Sequence, residues 1–182
     1  GNESQYDHSA VISLADVFRY NGYYTVALSQ GDVYTPTLGF DRYEAFSDSF
    51  HHAQTQSDVM SRDKPVFAYF HFLNLHDEAF GRPELMTSDY YQQQWDALAE
   101  EVDTVWQRWV KEGDIVLMVS DHGCQLRETF DSQWRYYHEE EPTGGIYLSE
   151  NTTRGFYAFC GADYFPQFHS RELARGIDIF PT

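Results

Sequence analysis

One stretch limits what this chain can become more than any other: DIVLMVSDHG, residues 114 to 123. After the acidic turn residue Asp114 come Ile115, Val116, Leu117, Met118 and Val119, five apolar residues of which three are β-branched. Such a run reads as a short strand buried on both faces, as in a parallel sheet. It stops at Ser120-Asp121-His122-Gly123, so two potential metal ligands and a glycine sit at the carboxyl end of the expected strand. In open α/β sheets, that end of the strand is where ligands bind.

The flanking segments supply the rest of an α/β chain. Residues 9–20 carry apolar side chains at helical spacing (Val11, Ile12, Leu14, Ala15, Val17, Phe18), with Ser9 placed as an N-cap. Asn21-Gly22 ends that helix as a left-handed cap would, and Tyr23 to Ser29 reads as a strand. Residues 30–49 read as loop, with Gly31, Pro36 and Gly39, and residues 50–61 as a polar helix or irregular chain. Val66 to Leu75 is a second buried strand, closed by His76-Asp77-Glu78. Ser88 to Lys111 has the period of a long helix, with Trp95, Leu98, Ala99, Val102, Val105, Trp106 and Trp109 on one face and Gly113 as terminator. A long segment without periodicity, Cys124 to Thr153, precedes a further strand at Gly155 to Cys160. At 182 residues the chain suits one domain. The order of helices and strands predicts an α/β domain with a largely parallel sheet.

Composition removes several function classes. A net charge of −17 with no basic patch disfavours nucleic acid and anionic membrane as partners. No apolar run approaches the length of a membrane span, and the polar opening GNESQYDHS is not a signal peptide. Two cysteines, Cys124 and Cys160, are too few for a disulfide scaffold and suggest reduced thiols.

The chemistry-bearing residues are few. His76 follows one strand, and Asp121 and His122 follow another. Carboxylate plus imidazole is a good donor mix for a divalent cation such as zinc or manganese. Two donors do not make a site, since a metal takes about four or more; taken alone, the motif is better read as a capped strand-to-helix turn. His51-His52 is a further pair, but adjacent histidines point apart on a helix and read as solvated surface.

Taken in order, these features resemble the sulfatase branch of the alkaline phosphatase superfamily. Ser120-Asp121-His122-Gly123 follows a hydrophobic strand and a long helix carrying Asp103. FRYNGYYTVALSQG is similar to the family's Leu…Gly-Tyr-x-Thr helix and strand, and Gly39-Phe40-Asp41 to its Gly-Phe-Asp element. KPVFAYFHFLNLHDEAF resembles the Pro-Phe-Phe…His-x-Pro strand, with Asp77 and Glu78 where Pro is often found. GGIYLSENTTRGFYAFCG resembles the segment in which Gly-Gly and Arg-x-Pro precede a strand, and Ile177-Asp178-Ile179-Phe180-Pro181-Thr182 resembles Asp-Ile-x-Pro-Thr. The resemblance covers nearly the whole chain as a single, partial sulfatase-like domain with an alkaline phosphatase-like fold.

The resemblance implies metal-dependent hydrolysis of a small anionic sulfate or phosphate ester. Asp121 and His122 would ligate a divalent cation (Ca, Mn or Zn), and His76 would stand beside the sulfuryl or phosphoryl oxygens. His138 would contact the same anion from the following loop, with Arg127 and Arg135 behind it. The family places its nucleophile and an acidic metal motif before the first helix, and this sequence holds neither Cys-x-Pro-x-Arg nor Ser-x-Pro-x-Arg. The expectation is therefore a carboxyl-side fragment, inactive alone. Two other functions fit the same residues: a non-catalytic sulfatase-like module that binds through its aromatic surface, and a phosphoglycerol- or phosphoethanolamine-type transferase.

Overall fold

A computed structural model of the chain describes residues 12–30, 39–46, 53–61, 63–75, 87–120 and 157–161. Within them run α1 (Leu14–Tyr20), β1 (Tyr24–Gln30), β2 (Arg42–Phe46), α2 (Ala53–Met60), β3 (Val66–His71), α3 (Ser88–Trp109), β4 (Val116–Val119) and β5 (Tyr157–Cys160). The fold is α/β. β1, β2 and β3 form a parallel sheet in the order β2-β1-β3, flanked by helices, while β4 and β5 form an antiparallel pair.

β1 is the strand the rest is built on. Thr25, Val26, Ala27, Leu28 and Ser29 are all buried. The alternation of side chains along the strand assigns these residues to two faces. Val26 and Leu28 form a core cluster with Val59 of α2 and Val105 and Trp109 of α3, against which Tyr24, Val66, Ala68, Phe70 and Phe72 pack. Phe70 meets the Trp109 ring edge-on at 5.2 Å between centroids. On the other face, α1 packs against the sheet through Phe18, stacked on Phe67 at 4.3 Å. Helices cover both faces, which a parallel sheet requires and a chain of alternating helices and strands predicts.

Several expectations are corrected in detail. α1 begins at Leu14 rather than at residue 10, and its cap is Ser13, not Ser9. Ser13 and Asp16 form a capping box: Ser13 Oγ accepts from the Asp16 N–H at 3.1 Å, and Asp16 Oδ2 accepts from the Ser13 N–H at 3.0 Å. β2 lies where loop was expected. Its sequence RYEAF carries Arg42 and Glu44 where an inner strand would carry apolar residues. The two side chains pair with each other, and Arg42 also reaches Asp58 of α2 at 3.3 Å. This is the composition of an edge strand, which apolar patterning overlooks.

α3 matches its expected extent closely, but its buried stripe is narrower. Val105 and Trp109 are buried, whereas Trp95 and Trp106 are exposed. The helix ends at Trp109 with Val110 as its C-cap, three residues before Gly113. There Gly113 takes φ +90 while Asp114 N–H donates to the Lys111 carbonyl at 3.1 Å, turning the chain into β4. β4 itself is not the doubly buried parallel strand expected from its apolar run. It pairs antiparallel with β5, and Ile115 and Val119 are exposed. Among the described strands, that doubly buried place belongs to β1.

Candidate functional site

The four residues singled out for chemistry, His76, His138, Asp121 and His122, lie outside the described residues, as do Arg127, Arg135, His51 and His52. The structure describes the elements that lead to them. β3 ends at His71 and the chain is described on through Leu75, the residue before His76. β4 is described through Ser120, the residue before Asp121. Among the described residues no three His, Cys, Asp or Glu side chains come together as a metal site. The donor chemistry of Asp121 and His122, one hard oxygen donor and one imidazole, suits manganese or zinc better than the all-oxygen shell of calcium. Asp103, carried along in the family resemblance, is exposed on α3 and accepts from Gln107 Nε2 at 2.6 Å, one helical turn away.

A polar cluster that pattern reading did not find occupies the carboxyl edge of the parallel sheet. Gln30, the last residue of β1, donates from Nε2 to Glu101 Oε2 of α3 at 2.5 Å. Its Oε1 accepts the backbone N–H of Leu73 at 2.6 Å. Asn74, in the turn that follows β3, donates from Nδ2 to Glu101 Oε1 at 3.2 Å. Both oxygens of one carboxylate thus hold side-chain amides from two strand ends. Hydrogen bonds to a charged acceptor are worth about 1.5–3 kcal/mol each.

The directions in this cluster are fixed by donor and acceptor count. A carboxylate only accepts, so both amides must turn their NH2 groups towards it. That leaves Gln30 Oε1 free to hold Leu73. It also leaves Asn74 Oδ1 buried with no hydrogen-bond partner among the described residues, at a cost of about 1–3 kcal/mol. On the opposite face of the same strand ends, Ser29 Oγ lies 3.2 Å from His71 Nδ1. Ser29 and His71 are register partners across β1 and β3, and Ser29 is 1% exposed.

One signal in the sequence marks this cluster. Leu98, Glu101, Val105 and Trp109 follow each other at helical spacing, so Glu101 occupies a position of the inward stripe of α3 where an apolar residue would be expected.

The amino end of the sheet holds the two other motifs of the resemblance together. Thr25, from Gly-Tyr-x-Thr, and Asp41, from Gly-Phe-Asp, bond each other reciprocally, and Thr25 Oγ1 also reaches the Gly39 carbonyl at 3.5 Å. Gly39 is at φ +83, and a Cβ there would lie 2.4 Å from Asp16 Oδ1. Only glycine fits both the backbone and the space. The Ser13 hydroxyl, and after it the Ser13 backbone N–H, hold the Asp16 carboxyl below the ordinary aspartate range; burial opposes them and Arg19 adds to them. These groups tie α1, β1 and the start of β2, and their role is structural.

The described residues contain no helix long and apolar enough to cross a membrane. Comparison with family models, with curated proteins and with solved structures returns no match to the chain.

Proposed function

We propose that the chain belongs to a sulfatase-like, metal-dependent hydrolase of sulfate or phosphate esters, with an alkaline phosphatase-like arrangement of its sheet. The observation that carries the reading is the collinear order of its motifs: Gly-Tyr-x-Thr, Gly-Phe-Asp, the strand leading to His76, Ser120-Asp121-His122-Gly123 and Asp-Ile-x-Pro-Thr. Two facts support it. Thr25 and Asp41 are direct partners, which gives the first two motifs one reason to occur together. A parallel sheet covered by helices on both faces, with a polar cluster at its carboxyl edge, is an architecture in which ligands bind at that edge.

In this reading Asp121 and His122 hold a divalent cation from one side. A bound divalent cation supplies Lewis-acid neutralisation of charge building on the oxygens of the transferred group. His76 donates a hydrogen bond to a sulfuryl or phosphoryl oxygen, which a neutral imidazole N–H can do, or a proton to the leaving oxygen, which requires the imidazolium. His138 contacts the same anion. The nucleophile is not assigned to any of the 182 residues.

A test combines binding and turnover. Calcium, manganese and zinc are titrated into the chain by calorimetry, and aryl sulfate and aryl phosphate are offered as substrates with and without a chelator. Weak metal binding that disappears in Asp121→Asn and His122→Ala is expected, without turnover by the 182-residue chain alone. Turnover that survives chelation and persists in His122→Ala would overturn the reading.

The exposed rings of Tyr20, Trp95 and Trp106 favour a second reading, a sulfatase-like module that binds a partner through aromatic surface. It predicts no metal or anion response at all, and so the same titration separates the two.

A further inference from the structure

We infer that Glu101 is a positioning residue: from α3 it sets the strand-end turn that leads into His76. The inference rests on the functional reading above for the importance of His76. Its geometry stands on the described residues alone.

His71 is the last residue of β3 paired with β1. Beyond it, the Leu73 N–H is held by Gln30 Oε1 and the Asn74 side chain by Glu101 Oε1. Gln30 is itself held by Glu101 Oε2. Glu101 therefore restrains two successive residues after the strand, Asn74 directly and Leu73 through Gln30. His76 is two residues further on.

The cluster also has a direction. Were residue 101 a glutamine, it would offer one acceptor and two donors, and one of the two amides would have to reverse. A reversed Gln30 presents NH2 to the Leu73 N–H, donor against donor. A reversed Asn74 swaps which atom lies buried and unpaired. Only a carboxylate satisfies both amides in the observed orientation, in which Asn74 Oδ1 is buried without a partner among the described residues. A merely solvated helix glutamate would need neither partner.

The experiment measures hydrogen exchange at the Leu73 amide and the imidazole NMR signal of His76, in the wild-type chain, Glu101→Ala, Glu101→Gln and Gln56→Ala. The last variant removes a different tie to α3, the bond from Gln56 Nε2 to the Arg108 carbonyl. Exchange at Leu73 should be about ten- to a hundredfold faster in Glu101→Ala, with a displaced His76 signal. Gln56→Ala should move neither beyond its effect on global stability, and Glu101→Gln should fall between. If Glu101→Ala fails to fold, Glu101→Gln carries the same comparison. Unchanged Leu73 exchange and an unchanged His76 signal in a folded Glu101 variant overturn the inference. Inorganic sulfate and phosphate are then added to the wild-type chain. A His76 signal indifferent to both counts against the hydrolase reading, while the anion-free comparison still decides the role of Glu101.

Discussion

Thr25 and Asp41 each donate to and accept from the other. The Thr25 N–H and hydroxyl donate to Asp41 Oδ2 at 2.9 and 3.1 Å, and the Asp41 N–H donates to Thr25 Oγ1 at 2.9 Å. Sixteen residues separate them, and Thr25 is fully buried. This pair sets the entry of β2 beside β1, one step before the first register pair, Val26 with Arg42.

Removing the hydroxyl while keeping the shape isolates that pair. Thr25→Val should lower stability by about 0.5–1.5 kcal/mol, because the bonds between the buried Thr25 hydroxyl and Asp41 are lost while the exposed Asp41 can turn to water. Thr25→Ser should retain most of it. Urea denaturation midpoints for the two variants make the comparison; equal loss in both would assign the effect to packing instead.

Gly39→Ala meets two obstacles, a left-handed backbone and the Asp16 carboxylate. A loss of more than about 1 kcal/mol is expected from the backbone conformation alone. Repeating the substitution in an Asp16→Ala background should recover the steric part and leave the backbone part. Thermal melts of the single and double variants give that coupling.

The depressed titration of Asp16 fixes the sign of a pH effect. A carboxyl that gives up its proton more readily in the folded chain stabilises the fold above its unfolded titration, near pH 4. That contribution is lost as pH falls through the lower, folded value. Asp16→Asn should thus be less stable than wild type at neutral pH, and the difference should shrink in acid below about pH 4. A gap that stays constant down to the acid transition would exclude linkage through this group.

Arg42 joins the polar face of β2 to α2. Burial alone would lower its titration; the hydrogen bonds and charges of Glu44 and Asp58 outweigh that and raise it. The guanidinium is partly exposed and screened, so Arg42→Met should cost no more than about 1 kcal/mol at low salt. Added salt should narrow the difference, as chemical denaturation in urea at two ionic strengths would show.

What the sequence made legible follows from how each element is stabilised. β3 carries an uninterrupted apolar run from Val66 to Phe70, β1 a stretch of aromatic and β-branched residues around Val26-Ala27-Leu28, and α3 a long helical period; these patterns reveal the existence and type of each element. β2 was hidden because ion pairs, not apolar contacts, hold Arg42 and Glu44. The start of α1 is not legible from spacing, because more than one serine precedes or enters the pattern, and only the reciprocal bond with Asp16 selects Ser13. The antiparallel pairing of β4 with β5 is not legible, because a short apolar run does not encode its partner's direction. For the site, motif order points to His76, Asp121 and His122, whereas Glu101 shows only as a single polar residue in the inward stripe of α3, a weak signal without the partners that the fold brings to it.

β1 presents small side chains to one neighbour and large ones to the other. Thr25, Ala27 and Ser29 turn towards the side that carries α1, and Val26 and Leu28 towards the side that carries α2 and α3. The middle strand therefore works as a spacer with two gauges, a narrow gap on one side and a wide one on the other. A saturation scan of residues 25–29 should accordingly read as a ruler: odd positions reject added volume, even positions reject lost volume, and neither class tolerates the other's residues.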